Sequence, residues 1–211
     1  MLSPLSPFYC AHCIHCRLPE QSCICSRIKS THFPFKILLC CHSKEWQRND
    51  NTGQWAMLSS RDIKRYRWHR KAELIQPLLD LAQYSIAESS ELSSNTLSKP
   101  GHYLLFPAED SQPISTLEQK ITHLWVIDGT WQEAQKMLKQ SPWLKSLPKI
   151  SITAATSQFV LRRNQQGLAT MEAIEWAIRD SEPAHKSTCN SADILKFNFD
   201  LVQNQLLDLL R

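Results

Sequence analysis

Glycine is scarce in this 211-residue chain, which contains only four residues of that type. An average protein carries about 7% glycine, so the share here is roughly a quarter of the usual one. Gly53, Gly101, Gly129 and Gly167 lie far apart, and no Gly-x-Gly-x-x-Gly or Walker-type loop can be assembled from them. The common phosphate-binding loops are therefore excluded, and any nucleotide cofactor must be held in another way.

Long apolar runs are also missing from the chain. No run reaches roughly 18 residues, the length of a membrane span, and residues 1–10 lack the cationic-then-apolar pattern of a secretory signal. Hydrophobic residues still make up 42% of the chain, enough for a sizeable core, and the formal net charge is +4. We expect a cytoplasmic protein without membrane contact, with a main domain over residues 31–211 and a small segment over residues 1–30.

Cysteine, by contrast, is concentrated in one short segment. Five of the eight cysteines fall within sixteen residues, a spacing too tight for ordinary disulfide pairing. Cys13, Cys16, Cys23 and Cys25 form a C-x2-C pair and a C-x-C pair, and two close thiol pairs suit tetrahedral zinc. Four thiolates leave no open coordination position, so the predicted role of the zinc is structural.

Other ligand choices remain open for this metal site. Cys10, His12 and His15 are rival ligands, and Cys10 adds a second C-x2-C spacing to the segment. An iron–sulfur cluster also uses cysteine thiolates, so the sequence does not choose between the two kinds of centre.

Apolar runs alternate with amphipathic stretches along the chain, which predicts an α/β fold with a substantially parallel sheet. Predicted strands cover residues 36–41, 102–106, 121–127, 149–153 and 158–161. Predicted helices cover residues 54–59, 72–81, 131–140, 171–179 and 192–210. Residues 88–101 are rich in serine and other polar residues and are expected to form an exposed loop.

A strand–turn–helix unit at residues 121–140 has the position of a ligand site. The apolar strand stops at Asp128, and Thr130 with Glu133 three positions later forms a capping-box pattern. In open α/β sheets, ligands bind at the carboxyl ends of strands, where Asp128 and Trp131 are predicted to lie. From spacing alone, ligand binding and a role in turn formation and packing fit these two residues equally well.

The densest run of positive charge covers residues 61–71, which hold six Lys/Arg with Tyr66 and Trp68 between them. Such a run fits contact with RNA phosphates, and its aromatic rings could stack on unpaired bases. A solvated basic helix or strand edge has the same composition.

Five ordered motifs cover nearly the whole chain. They are the four cysteines, His42-x-x-Glu45 with Asn51-Thr52-Gly53, Leu105-Phe106-Pro107, Asp128-Gly129-Thr130-Trp131, and a C-terminal pair of elements, Leu161-Arg162-Arg163 and Thr170-x-Glu172-Ala173. They resemble the motifs of the DTW-domain family, the tRNA-uridine aminocarboxypropyltransferases, including its N-terminal cysteine motif and its apolar strand ending in Phe-Pro. Two departures are Ser43, where proline is usual, and the surplus Cys10.

The resemblance implies transfer of the 3-amino-3-carboxypropyl group from S-adenosylmethionine to N3 of a uridine in a tRNA loop. The variable loop is the target that the bacterial branch suggests, and methylthioadenosine would be the by-product. The implied fold is a SPOUT-like knotted sheet, in which threaded loops hold the cofactor. With the motifs in place, all four glycines are expected beside the loops of the site.

The resemblance also assigns site residues. The implied catalytic residues are Asp128, Thr130 and Trp131. The implied cofactor-binding residues are Leu105, Phe106, Pro107, Asp128, Gly129, Leu161, Arg162, Thr170, Glu172 and Ala173. The predicted substrate- and RNA-binding residues are Glu45, Asn51, Arg65, Arg67, Trp68, Arg70 and Lys71.

Several roles have rival interpretations at this point. Asp128 is the candidate general base, but it could instead hold the turn while Glu172 or Glu45 assists. Arg162 or Arg70 could pair with the carboxylate of the methionine end. Thr170 and Glu172 could cap a helix rather than contact a ligand.

Two other functions also fit the sequence. A SPOUT-like methyltransferase would share fold and cofactor but release S-adenosylhomocysteine, and a non-catalytic zinc-containing RNA-binding module would release neither product. We expect a monomer or a homodimer without an obligate protein partner.

Overall fold

The computed structural model of the chain describes residues 11–71, 100–153, 156–162, 167–182 and 191–210. Within these residues, no helix combines the length and the apolar character that crossing a membrane requires. The predicted helix over residues 72–81, most of the predicted loop over 88–101, and Cys10 lie outside the described residues.

Six strands of the described residues form one parallel sheet. They are β1 (Lys36–Cys41), β2 (Ile63–Arg67), β3 (His102–Leu105), β4 (Gln112–Pro113), β5 (His123–Asp128) and β6 (Lys149–Ser151). The helices are α1 (Thr52–Ser59), α2 (Trp131–Gln140), α3 (Pro142–Lys145), α4 (Thr170–Ser181) and α5 (Ser191–Leu209). Within the sheet the strands have the order β2-β1-β5-β3-β6-β4, and every pair is parallel. The predicted α/β class, with a parallel sheet flanked by helices, is confirmed.

Both faces of the sheet are covered, which explains why the central strands are apolar along most of their length. Alternate residues of a strand point to opposite faces. In β1, Ile37 and Leu39 pack in a cluster with α1, α4 and α5, whereas Leu38 and Cys40 pack in a cluster with α2 and α3. The core therefore consists of two layers of side chains, one on each side of the sheet.

The direction of chain winding reverses between the neighbouring strands β1 and β5. From β1 the chain passes through α1 to β2 on one side, and from β5 it passes through α2 and α3 to β6 on the other. A crevice opens at the carboxyl ends of the strands at such a reversal. The residues that follow the two strands meet there, since a Cβ on Gly129 would lie 3.6 Å from Cβ of His42.

The predicted strand over residues 158–161 is wrong, because Val160–Arg162 forms a short 3-10 helix. Side chains, rather than a neighbouring strand, bind the backbone N–H groups of this segment. The N–H of Gln158 donates to Glu172 Oε1 at 2.6 Å, and the N–H of Val160 donates to Gln203 Oε1 at 2.9 Å. With these donors engaged, the segment does not extend the sheet.

The other predicted strands and helices of the described residues are found within a few residues of their expected ends. The helix α2 occupies residues 131–140 as predicted. The helix α1 begins at Thr52, before its expected start, because the Asn51 side chain accepts a hydrogen bond from the Gln54 N–H at 2.8 Å and caps it.

The prediction that all four glycines lie beside the loops of the site is wrong for Gly101. It precedes β3 at the amino ends of the strands and has a φ of +81°. A Cβ at this position would lie 2.7 Å from Thr122 Oγ1. Gly101 therefore serves the packing of the turns that lead into β3 and β5.

The cysteine segment packs directly against α1. Trp55 Nε1 donates to the carbonyl of Cys16 at 2.7 Å, and Cys16, Leu18 and Ile24 belong to the same buried cluster as Trp55. The predicted boundary between residues 30 and 31 and the predicted knot stay predictions.

Candidate functional site

Asp128, the last residue of β5, is the centre of a buried hydrogen-bond network and is only 1% exposed. Its carboxylate accepts from Asn51 Nδ2 at 3.1 and 3.2 Å, from Arg65 Nη2 at 3.2 Å and from Thr170 Oγ1 at 2.9 Å. These donors come from the loop after β1, from β2 and from the start of α4. Asp128 therefore ties three separate segments together at the carboxyl edge of the sheet.

The amino end of α1 lies against this carboxylate. A Cβ on Gly53 would lie 2.9 Å from Asp128 Oδ2, which is closer than real Cβ contacts come. The first turn of a helix carries a partial positive charge that attracts anions. Arg65 forms an ion pair with Asp128, and both side chains are 2% exposed. The carboxylate thus lies between a helix terminus and a buried guanidinium.

A capping box fixes the turn after Asp128, as predicted. Thr130 Oγ1 accepts from the Glu133 N–H at 3.3 Å, and Glu133 Oε2 accepts from the Thr130 N–H at 3.0 Å. Burial alone would raise the pKa of Glu133, but the hydrogen bonds from Thr130, with His42 and Lys44 nearby, lower it below its ordinary value. The Thr130 side chain therefore acts as the helix cap.

An apolar cavity of about 210 Å³ opens beside this turn, at the carboxyl ends of β3, β5 and β6. Trp131 lines it, is 40% exposed and stacks on Phe106, with ring centroids 5.2 Å apart and an interplanar angle of 14°. Six predicted cofactor-binding residues also line this cavity: Leu105, Phe106, Pro107, Gly129, Thr170 and Ala173. The structure thus brings together residues that lie up to 68 positions apart in the sequence, Leu105 and Ala173 being the outermost.

A second, polar cavity of about 50 Å³ adjoins the first, and Gly129 and Thr170 line both. The predicted residues that line it are Glu45, Asn51, Asp128, Thr130 and Leu161. Carboxylates outnumber cationic side chains in the described lining, which holds Glu45, Asp50 and Asp128 but one guanidinium, that of Arg48. The buried Arg65, which pairs with Asp128, is not part of this lining. The polar cavity therefore suits a ligand group that carries positive charge.

Arg48 is a site residue that the sequence did not identify. Its guanidinium donates to Glu45 Oε1 at 2.9 Å and to the two oxygens of Asp50 at 2.8 and 2.7 Å. These contacts lower the pKa of Asp50, chiefly through the hydrogen bonds from Arg48. A guanidinium has five N–H donors, so two are left for a ligand. The i, i+3 spacing between Glu45 and Arg48 is the signal that could have revealed it.

Glu172 is absent from the described lining of both cavities. Its carboxylate accepts from the N–H groups of Gln158 and Ala169 at 2.6 and 2.7 Å, and from the Ser157 hydroxyl. Glu172 therefore caps the start of α4 and holds the 157–158 segment against it. This agrees with the interpretation that Glu172 caps a helix rather than contacts a ligand. The side chain of Arg162 lies outside the described residues.

The side chains of Arg65 and Tyr66, both in the basic run, are buried rather than exposed. The Arg65 side chain donates to Gln54 Oε1 at 3.1 Å and to the carbonyl of Glu45 at 2.9 Å, in addition to Asp128. Tyr66 is 7% exposed and packs in the cluster between the sheet and α2. The predicted RNA contact of Arg65 and base stacking by Tyr66 are therefore wrong, because β2 pairs with β1 and carries these side chains into the molecule.

The end of the basic run remains at the surface, on the same edge of the sheet as Asp128. Arg67 pairs with Cys41 in the strand register and lies with its guanidinium 5.1 Å from the Trp46 ring centroid. Arg70 and Lys71 are exposed. Trp68 is half-buried, and its Nε1 donates to Ser141 Oγ at 2.8 Å. Arg67, Arg70 and Lys71 are therefore the cations of this run that are accessible near the site.

The four predicted metal ligands converge. The sulfur atoms of Cys13, Cys16, Cys23 and Cys25 all lie within 4.8 Å of one another. Cys13 and Cys25 are 3.7 Å apart, and Cys16 and Cys23 are 3.8 Å apart. Zinc–sulfur bonds of about 2.3 Å in a tetrahedron require sulfurs about 3.8 Å apart. The cluster can therefore hold a metal ion such as zinc, and its compactness favours one ion over a cluster of several irons.

Local hydrogen bonding prepares one of these ligands for a metal. The backbone N–H groups of Cys16 and His15 lower the pKa of Cys13 to about 6, which favours its thiolate form. Burial raises the pKa of Cys16. Metal binding therefore has to displace a proton from at least one other ligand.

Comparison with known proteins gives one family and no structural neighbour. The family model of the DTW domain matches residues 10–207, which is nearly the whole chain. No solved structure matches the chain. The matched residues include the cysteine cluster, both cavities and the Asp128–Trp131 turn.

Proposed function

The chain belongs to the DTW-domain family, and on that basis we propose that it transfers the 3-amino-3-carboxypropyl group of S-adenosylmethionine to N3 of a uridine in tRNA. The uridine would lie in a loop, with the variable loop as the first candidate, and methylthioadenosine would be released. The family is associated with tRNA modification, which supports an enzymatic role for the chain.

One observation carries this proposal: an apolar cavity and an acidic polar cavity meet at the Asp128–Trp131 turn. S-Adenosylmethionine, when bound, supplies an electrophilic carbon chain between a flat adenosine and a charged amino-acid end. The residues present fit such a molecule, because each of its two ends has a cavity of matching polarity. Gly129 and Thr170 line both cavities and mark the junction between them.

The apolar side would receive the adenine. Phe106 stacks on one face of the Trp131 ring, and Trp131 is 40% exposed, which leaves surface for further contact. The small side chain of Ala173 and the backbone of Gly129 allow a flat ring to approach closely. A nucleoside can thus be bound without a glycine-rich phosphate loop.

The polar side would hold the two charged groups of the amino-acid end. The carboxylate of Asp50 suits an ammonium group, and the two remaining donors of Arg48 suit a carboxylate. Fixing both groups would present the methionine Cγ, rather than the methyl carbon, to the uridine nitrogen. The polar cavity is therefore the feature that would distinguish this reaction from methyl transfer.

The transfer forms a bond between uridine N3 and Cγ and breaks the bond between Cγ and the sulfonium sulfur, whose electron pair leaves with methylthioadenosine. The N3 proton must also leave, and we propose that Glu45 receives it. Each oxygen of Glu45 accepts one hydrogen bond, from Arg48 and from Asn51. Each oxygen of Asp128 accepts two, so Asp128 is better suited to hold Asn51 and Arg65 in position.

The tRNA would approach across the edge formed by the end of β2. Arg67, Arg70 and Lys71 are exposed there and can contact phosphates. The target base has to leave its stack to reach a cavity at the carboxyl ends of the strands, which favours a loop uridine over a paired one. The zinc held by the four cysteines would act as a structural cross-link and take no part in the transfer.

The proposal is tested by the small-molecule product formed when the purified protein is incubated with unmodified tRNA and S-adenosylmethionine. We expect methylthioadenosine, formed only in the presence of tRNA. S-Adenosylhomocysteine would instead indicate a methyltransferase, and tRNA binding without either product would indicate a non-catalytic module.

Glu45→Gln is the matched variant for the proton-transfer step. We expect it to bind S-adenosylmethionine and to lower turnover by about 10²–10⁴-fold. Asp128→Asn is a poorer test, because it leaves the buried Arg65 without its ion-pair partner and costs about 3–5 kcal/mol of stability. Unchanged turnover of Glu45→Gln would indicate that Asp128, rather than Glu45, is the general base.

A further inference from the structure

Arg17 has an unusual backbone conformation in the cysteine cluster. With a φ of 61°, it is the only residue other than glycine among those the structure describes that lies in the left-handed region. It directly follows Cys16, and its N–H donates to the carbonyl of Cys13 at 2.8 Å. Strain of this kind persists only where the surroundings impose it. The turn that brings two metal ligands together therefore also fixes the direction of Arg17.

The Arg17 side chain leaves the cysteine cluster and reaches the loop after β1. Its Nη1 donates to the carbonyl of Trp46 at 2.9 Å and to the carbonyl of Arg48 at 3.0 Å. From the other direction, Arg65 donates to the carbonyl of Glu45 at 2.9 Å. Two guanidinium groups thus hold three carbonyl acceptors in and just after the 3-10 helix Glu45–Gln47.

This loop supplies most of the charged lining of the polar cavity. Glu45, Arg48, Asp50 and Asn51 all line it. The backbone of the loop is therefore what sets the spacing between the cavity's carboxylates and its guanidinium. The apolar cavity shares none of these four residues.

We propose that Arg17 is a positioning residue that couples metal binding in the cysteine cluster to the geometry of the polar cavity. Metal bound by Cys13 and Cys16 holds the turn, the turn holds Arg17, and Arg17 holds the carbonyls of Trp46 and Arg48. Loss of the metal releases this contact and loosens the loop. The polar cavity loses its shape, whereas the apolar cavity does not.

The coupling has a consequence for ligand binding that rests on the proposed function. S-Adenosylmethionine would need both cavities, whereas methylthioadenosine, which lacks the amino-acid end, would need only the apolar one. Loosening the loop should therefore weaken binding of the first ligand and spare the second. General destabilisation of the protein would weaken both.

The test compares Arg17→Gly with the wild type. Glycine adopts a φ of 61° without strain, so this variant keeps the conformation of the turn and removes the whole side chain, including the guanidinium that holds the loop. We expect unchanged metal content, about tenfold weaker S-adenosylmethionine binding and unchanged methylthioadenosine binding by calorimetry. We also expect hydrogen exchange at the Arg48 amide, which donates to Glu45 O, to become about tenfold faster, as the loss of charged hydrogen bonds predicts.

Two further variants and one treatment sharpen this comparison. Arg17→Lys keeps the charge and should restore part of the affinity. Arg27→Ala is the matched control, because Arg27 belongs to the same cysteine segment but contacts Gln205 of α5, so it should behave as the wild type. Chelation of the metal from the wild type should reproduce the Arg17→Gly pattern, and chelation of Arg17→Gly should add little to it.

The proposal fails if Arg17→Gly keeps wild-type exchange at the Arg48 amide, or if it loses metal or loses affinity for both ligands equally. The exchange measurement needs no ligand. If the wild type bound no S-adenosylmethionine, the proposed function would fail while exchange would still decide the role of Arg17.

Discussion

At the scale of single residues, the packing of Gly53 against Asp128 controls how closely α1 approaches the site. A Cβ on Gly53 would meet three atoms of the carboxylate at 2.9–3.1 Å. Gly53→Ala should therefore lower the free energy of unfolding by about 1–3 kcal/mol, measured by denaturant titration. Helix propensity alone predicts the opposite sign, because alanine in a helix is better than glycine by about 1 kcal/mol. A more stable variant would contradict the close approach.

Glu133 gives a pH-dependent prediction at the same scale. Its pKa in the folded protein lies below its ordinary value of 4.5, so its charge contributes stability above that pH, and the contribution is lost as the pH falls through the folded pKa. Glu133→Gln should cost about 0.5–1 kcal/mol at neutral pH. The difference from the wild type should vanish in acid, as thermal unfolding at a series of pH values would reveal.

Glu118→Gln is the control for this series, since Glu118 is exposed. It should leave stability unchanged at every pH. A Glu133→Gln deficit that persisted at the acid end would show that shape, rather than charge, stabilises the cap.

The sequence predicted some residue roles and missed others for physical reasons. The capping box could be predicted because both partners lie within one turn of chain, Thr130 and Glu133. Arg65 was mistaken for a surface residue because its partners Asp128 and Gln54 are brought to it only by the sheet and by α1. Arg48 was missed because its i, i+3 spacing from Glu45 indicates an ion pair but not the cavity that both side chains line.

At the scale of elements, we expect the cysteine segment to depend on a metal ion held by its four thiols. Its thiols pack against α1, and Trp55 donates to Cys16 O across that contact. The double variant Cys13→Ser/Cys16→Ser should bind no metal and expose the amides of the Cys13–Leu18 turn to hydrogen exchange.

Cys40→Ala is the matched control for metal content, since Cys40 is buried between the sheet and α2. It should keep one metal ion per chain. Retention of metal by the double serine variant would show that other side chains of the segment are ligands.

Elements differed in how well the sequence predicted them. The strands β1 and β5 were predictable because burial on both faces of a parallel sheet demands a continuous apolar run. Residues 158–161 have a similar apolar character, but Glu172 and Gln203 bind their backbone N–H groups and prevent pairing. No local pattern reports hydrogen bonds to partners 14 and 43 residues away.

At the scale of the whole molecule, the exposed cations at the end of β2 share an edge of the sheet with both cavities. The triple variant Arg67→Ala/Arg70→Ala/Lys71→Ala should bind tRNA more weakly. It should also reduce the slope of log affinity against log salt by about 1 for each phosphate that the variant no longer neutralises. Binding measured at several salt concentrations tests this.

Lys120→Ala is the control, because Lys120 is exposed near Gly101 at the amino ends of the strands. It should bind tRNA as the wild type does, with the same salt slope. If the slope of log affinity against log salt were unchanged in the triple variant, the RNA-binding surface would have to lie elsewhere on the protein.

The strand order and the paired cavities belong to this largest scale, and the sequence did not predict them. Alternating strands and helices predicted a parallel sheet, but many strand orders satisfy that pattern. The reversal between β1 and β5 depends on long-range packing, and it is this reversal that brings Asn51 and Asp128 together. Motif resemblance predicted the members of the site, and only the fold revealed their division into an apolar and an acidic part.

Nucleoside mass spectrometry of the tRNA detects the proposed product itself. Unmodified tRNA, incubated with the protein and S-adenosylmethionine, should yield a uridine that carries the 3-amino-3-carboxypropyl group on N3, located by fragment mapping to a loop. Glu45→Gln protein should yield little of it. Uridine recovered unmodified or methylated, from tRNA that the protein demonstrably binds, would contradict the account.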